Sequence, residues 1–217
     1  MVRKLVIWGA SGHALVIADI IRLRKEYEII GFLDDIKPER RGINFSGAPI
    51  LGGREQLDSL KQIGVRYLIF GFGNCKERLR LSSLVCEKGF SLITAVHPKA
   101  VIAKDVLIGK GTVVAAGVVV NSGSRIGESV IINTSSSIDH ECLIEDGAHI
   151  GPGAHLAGRV IVGRAAQIGI GATINPGVKI GAESLVGAGS LVLNDIPEGV
   201  IGYGVPARVI RKLAEDE

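Results

Sequence analysis

From Val96 to Val192 the chain sets an aliphatic residue at every sixth position, 17 times in 17 slots. The run includes Ile102, Ile108, Val114, Ile138, Ile150, Leu156 and Val186. Four residues after each anchor stands a small or aliphatic residue, such as Thr112, Val118, Ser124, Cys142, Ala154 or Ile196. A period of six fits neither the 3.6-residue face of a helix nor the two-residue alternation of a strand. It is the spacing of a hexapeptide β-helix, in which each hexad supplies one short strand and one corner. Three hexads close a coil of 18 residues, so residues 18 apart stack; at about 4.8 Å per coil the prism stands on the order of 25 Å tall. The period fixes which side chains point inward and thereby isolates the few free to do chemistry.

Residues 1–94 follow another rule. Lys4 to Trp8 reads as a strand, then the turn Gly9-Ala10-Ser11-Gly12-His13, then Ala14, Ile17, Ala18 and Ile21 at helical spacing. A second strand over Glu28 to Leu33 ends in Asp34-Asp35. A helix over Arg54 to Gln62 and a third strand over Tyr67 to Phe70 follow, the latter ending in Gly71-Phe72-Gly73-Asn74. A helix through Arg78 to Lys88 and a strand at Phe90 to Ile93 complete the series. Alternating strands and helices predict a small Rossmann-like α/β domain with a parallel sheet. The β-helix is expected over 95–197 and a C-terminal cap over 198–217, where the tail from Gly202 to Arg208 is read as leading into a short polar helix. A cap is expected because an open coil presents unpaired strand edges.

A net charge of +3, with no dense Lys/Arg run, argues against nucleic-acid binding. Cys75, Cys86 and Cys142 are odd in number and widely spaced, which reads as reduced thiols in a cytoplasmic protein. The N-terminus lacks the apolar core of a signal peptide, and no apolar run approaches a membrane span.

Ile138 and Cys142 bracket Asp139-His140-Glu141, which places those three at a corner and off the packed interior. An imidazole beside a carboxylate is a general-base arrangement, with a surface histidine that happens to neighbour a glutamate as the plainer alternative. His149 and His155 share one phase, each five residues after an anchor, and project outward from adjacent faces. A three-histidine zinc site is conceivable but lacks the tight spacing of a metal motif, so no metal is assigned. His97, before Pro98, reads as a linker residue. Cys142 points inward and is rejected as a nucleophile. In the first domain the Gly9 to His13 turn lies between strand and helix, where backbone N–H groups can cradle phosphate. It lacks the full G-x-G-x-x-G spacing, which disfavours a nicotinamide cofactor. Asp34 and Asp35 close a strand where carboxylates can accept from ribose or sugar hydroxyls, and Gly73 ends another on the same edge, where ligands gather in open parallel sheets. A nucleotide or nucleotide-sugar pocket is the expectation, against plain turn glycines and a solvated aspartate pair. The charged loop from Lys37 to Gly47 is expected to move.

The whole chain resembles the bacterial nucleotide-sugar N-acetyltransferases and sialic-acid-type O-acetyltransferases of the PglD/NeuD group. The shared pieces are Gly9 to His13, Leu33-Asp34-Asp35, Phe72-Gly73-Asn74, Asn133 to Ser136, Asp139 to Cys142, Ala148-His149, Leu156 to Gly158 and Gly204 to Ala207. The resemblance implies a left-handed β-helix that transfers acetyl directly from acetyl-CoA, with no metal. The acceptor would be an amino group of a nucleotide-linked sugar used in cell-surface polysaccharide biosynthesis. O-acetylation of a sugar or sialic acid is the alternative, and a non-catalytic or metal-binding β-helix a remoter one. His140 would be the general base, Glu141 its orienting carboxylate and the Gly158 N–H the oxyanion donor. His149, Ile170 and Ala188 would line the acetyl-CoA groove. Ser11, Gly12, His13, Asp34, Asp35 and Gly73 would hold the nucleotide-sugar. His155 receives no role. The resemblance also implies a homotrimer with active sites between subunits.

Overall fold

Strand β1 (Arg3–Trp8) carries Leu5, Val6, Ile7 and Trp8, none more than 2% exposed, and such an unbroken apolar run belongs at the centre of a sheet covered on both faces. The computed structural model, which describes residues 2–214, places it there. The chain divides into two compact units, Met1–Pro98 and Lys99–Glu217.

In the first unit β1 is followed by α1 (Gly12–Arg24), β2 (Tyr27–Leu33), β3 (Asn44–Phe45) and β4 (Ala48–Gly52). Then come α2 (Leu57–Gln62), β5 (Tyr67–Phe70), α3 (Cys75–Glu87) and β6 (Ser91–Leu92). The sheet order is β3-β4-β2-β1-β5-β6, parallel throughout except for the β3–β4 hairpin. Helix α1 buries Ala14, Ile17, Ala18 and Ile21, the stripe its spacing predicts. Sequence reading missed β4, whose Pro49 and flanking glycines resemble a loop; proline is tolerated beside a sheet edge. The helix expected from Arg54 begins instead as a 3₁₀ turn, Arg54–Gln56. The sheet reverses its winding between β1 and β5, because the chain leaves β1 toward β2 and leaves β5 toward β6.

In the second unit the hexads become two-residue strands in three columns, each strand pairing in parallel with the one 18 residues on. Face I carries Val101, Val119, Ser137, His155, Thr173 and Leu191 on its outer side. Face II carries Leu107, Arg125, Leu143, Ile161 and Lys179, and face III carries Val113, Ile131, His149, Gln167 and Leu185. The anchors Ile138, Ile144, Ile150, Val162, Ile168, Ile174 and Val186 are fully buried, as are the small corner residues Ser136, Ala148, Ala154, Ala166 and Ala172. From Gly111 to Gly189 each corner turns through one left-handed residue three after its anchor. Glycine fills many of these places, but Ser129, Ser135, Glu141, Arg159, Ala165 and Glu183 hold it with side chains, at φ between 53° and 60°.

The tail corrects the expected polar helix. Val200–Gly204 adds in parallel to Leu185–Val186, and Ala207–Lys212 folds back antiparallel on it through the Val205–Pro206 cis peptide. Val209 and Ile210 are β-branched, and the strand edge left open by the last coil offers hydrogen bonds that an isolated short helix does not. The hairpin is the cap that edge requires.

Because the prism interior is close-packed, truncating an anchor leaves a cavity. Ile150→Ala is expected to cost about 2–5 kcal/mol in chemical denaturation, whereas Ile170→Ala, at 63% exposure, should stay within about 0.5 kcal/mol.

Candidate active site

His140 stands at the corner leaving face I for face II, just after the strand Ser137–Ile138. Its backbone N–H donates to Asp139 Oδ1 at 2.8 Å, and Asn121 Nδ2, one coil earlier, donates to the same oxygen at 2.8 Å. Those two donors hold the Asp139 carboxyl below its usual range, the Asn121 bond contributing most. The imidazole Nδ1 lies 3.0 Å from Glu141 Oε2. With the proton on Nδ1 this carboxylate fixes the tautomer in which Nε2 keeps its lone pair. Glu141 adopts the left-handed backbone conformation, at φ 58°.

Gly158 stacks one coil beyond His140, as the 18-residue ruler predicts: the next backbone N–H, of Arg159, donates to His140 O at 2.9 Å. A Cβ on Gly158 would overlap His140 Nε2 and Cε1, so only glycine lets the ring lie against this backbone. Among the described residues no acceptor takes the Gly158 N–H. An imidazole nitrogen and an unspent backbone donor therefore share one edge of the prism, which is the equipment for removing a proton and steadying a developing oxyanion.

The other prism residues lie elsewhere. Ile170 and Ala188 stack at the corner between faces III and I, joined by a 2.8 Å bond from Gly189 N to Ile170 O, and both are exposed. His149 sits on face III with Nε2 3.3 Å from Asn133 Nδ2. His155 is on face I with Nδ1 2.8 Å from Ser137 Oγ. All of face I thus separates Ile170 and Ala188 from His140 and Gly158. Cys142 is 1% exposed with Sγ toward Ala157 O, and burial pushes its thiol up. No group of three or more His, Cys, Asp or Glu among the described residues is arranged to hold a metal ion.

In the first unit Ser11, Gly12, His13, Asp34, Asp35 and Gly73 gather at the carboxyl ends of β1, β2 and β5, around the point where the sheet reverses its winding. A Cβ on Gly9 would meet Gly71 C at 2.8 Å, so the two turns approach each other only because residue 9 is glycine. Gly12 and Ser11 are exposed at the start of α1, whose first N–H groups lack helical partners. The aspartates do more than the sequence suggests. Asp34 accepts from the Ile36 and Lys37 N–H groups and pairs with Arg40 at 2.9 Å, while Arg40 also donates to Ala10 O. These bonds link the start of the Lys37 to Gly47 loop to the ends of β1 and β2. Asp35 accepts from Trp8 Nε1 at 3.1 Å and from the Arg54 backbone at 2.6 Å.

Sequence reading missed Arg78. Its side chain is 1% exposed on α3, and Nη1 donates to Gly73 O at 2.5 Å. The signal was a cation on the buried stripe that includes Leu81 and Val85. His13 Nε2 is buried with no hydrogen-bond partner, and burial, with the nearby Arg78 charge second, lowers its pKa to about 4. The native state therefore refuses a proton that the unfolded chain takes near pH 6.5. This contribution is present above pH 6.5 and is lost as pH falls toward 4, by about 3 kcal/mol. His13→Gln should flatten that loss when denaturation midpoints are compared at pH 7.5 and 4.5.

Residues 4–85 match the PglD N-terminal domain family, and residues 159–194 the bacterial transferase hexapeptide (six repeats) family. The crystal structure of a histidine-to-alanine mutant of GDP-perosamine N-acetyltransferase from Caulobacter crescentus, in complex with CoA and GDP-perosamine, superposes with a TM-score of 0.92. It is 38% identical over 97% of this chain and 98% of that one. The acetyltransferase domain of PglB from Neisseria gonorrhoeae, in complex with acetyl coenzyme A, gives 0.90 at 35% identity over 97% and 100%. The UDP-N-acetylbacillosamine N-acetyltransferase of Bacillus subtilis is 35% identical over 115 residues, and that match spans half the length of the curated relative. No helix among the described residues is long and apolar enough to cross a membrane. The chain belongs to the PglD-type, hexapeptide-repeat nucleotide-sugar N-acetyltransferases, enzymes that move an acetyl group from acetyl-CoA to an amino group on a nucleotide-linked sugar.

Proposed function

We propose that His140 is the general base of this transfer. The observation that carries the reading is one geometry: Nδ1 held by Glu141 at 3.0 Å and the ring seated against Gly158, whose N–H is unspent. The neutral sugar amine attacks the thioester carbonyl, and Nε2 takes the proton that the nitrogen sheds as the C–N bond forms. The tetrahedral oxyanion accepts from the Gly158 N–H, a contribution of about 2.7–4 kcal/mol in comparable sites. The C–S bond then breaks, and the imidazolium returns its proton to the departing CoA thiolate. No covalent enzyme intermediate is needed, because the thioester is already activated.

The nucleotide part of the acceptor binds at the carboxyl edge of the first unit, through the Ser11 to His13 turn, Asp34, Asp35 and the Gly73 turn. The engaged oxygens of Asp35 keep further lone pairs for hydroxyl donors. His149, Ile170 and Ala188 line the CoA path. Ile170 lies less than two coils beyond His140, about 8 Å along the axis at the coil spacing, and a full face across. That separation supports a composite site, in which a neighbouring copy brings its CoA-lining corner to this chain's base, as in a homotrimer. Exposed Val101, Leu107 and Ile170 on the prism surface suit such packing. Three unpaired cysteines support a cytoplasmic setting.

His140→Ala is expected to lower kcat by about a hundredfold or more with little change in either KM, measured by thiol release from acetyl-CoA with GDP-, UDP- and dTDP-linked 4-amino sugars. Unchanged turnover would remove the base assignment, and transfer to hydroxyl sugars in preference to amino sugars would redirect the acceptor class. Gly158→Ala should impair turnover comparably, because its methyl group evicts the ring. Sedimentation at micromolar concentration should give three times the monomer mass of 22.8 kDa.

A further inference from the structure

We propose that Arg159 is a positioning residue for this reaction, acting on His140 through Glu141. The inference rests on His140 being the base. Arg159 Nη1 lies 3.7 Å from Glu141 Oε2, the oxygen that also faces His140 Nδ1. The same residue's backbone N–H donates to His140 O at 2.9 Å. Arg159 is thus anchored in register with the base, and its guanidinium reaches around to the carboxylate that orients the ring.

The corner column adds an independent argument. Its left-handed positions are Gly123, Glu141, Arg159 and Gly177, stacked 18 residues apart. The flanking coils use glycine, which suits this conformation. The two coils that carry the base place long charged side chains in it, although L-residues resist it. Ser129, Ala165 and Glu183 hold the same conformation at other corners, so what sets Glu141 and Arg159 apart is that their side chains converge beside His140. Neighbouring charges do not divert the guanidinium. Asp139 is bonded to Asn121 and the His140 N–H, and Asp105 to the Gly123 N–H. By pairing with the same Oε2 that faces Nδ1, Arg159 holds the carboxylate beside the ring.

Glycine at position 159 separates this role from a structural one, because it fits the left-handed corner at least as well as arginine. Arg159→Gly should leave the thermal midpoint within a few degrees yet lower kcat about three- to fivefold, with KM for acetyl-CoA and for the amino sugar unchanged. Arg159→Lys should recover most of the loss. In a Glu141→Gln background Arg159→Gly should cost nothing further, since the residue acts through that carboxylate. A raised KM for either substrate, losses that multiply in the Glu141→Gln background, or an unchanged kcat would overturn the proposal. Full turnover by His140→Ala would instead strike the base assignment itself, so the two failures are told apart.

Discussion

Everything in the second unit depends on the hydrogen-bonded stacking of one 18-residue coil on the next. Each two-residue strand is too short to persist alone. It is held because its N–H and C=O groups pair with the equivalent strands above and below, while an aliphatic anchor and a small or aliphatic side chain per hexad fill the interior. The small residue matters as much as the aliphatic one: Ser136, Ala148 and Ala154 leave room at corners where a larger side chain would force the coils apart. The result is a rigid ruler, and rigidity is what a proton-transfer site needs, since misplacement by an ångström costs rate.

The His140 site draws on that ruler directly. Its elements come from two successive coils, with Asp139, His140 and Glu141 on one and Gly158 and Arg159 on the next. The backbone bond between His140 and Arg159 keeps them aligned. The N-terminal unit solves a different problem with different physics. Its parallel sheet brings three turns together where the winding reverses, and the approach of Gly9 to Gly71 makes the gathering tight. In the proposed function, acetyl transfer belongs to the repeat and acceptor recognition to loops on a separate scaffold.

The pairing of Glu141 with His140 was legible because the period put both at a corner, outside the core. Gly158 followed by counting 18. Arg159 and Asn121 were open to the same count, 18 from Glu141 and from Asp139, but nothing local in the sequence marks them. Arg78 was marked only by a cation on an apolar stripe, and Arg40 by nothing, since it acts by reaching the Ala10 carbonyl and the Asp34 carboxylate. The tail was misread as helical because its charges suggest a solvated helix, whereas its β-branched residues meet an open strand edge that exists only after the coils have formed.

By itself the sequence determined the repeat, the inward and outward assignment of the hexads, the α/β domain before them and the corner that bears His140. These follow from local periodicity, in which each residue's neighbours are fixed by counting. Only the tertiary structure decided that the His140 ring lies against the backbone of Gly158, that the Arg159 guanidinium meets Glu141, and that Asp34 organises its own loop. These depend on side-chain direction and on contacts between coils and strands, which no count of residues supplies.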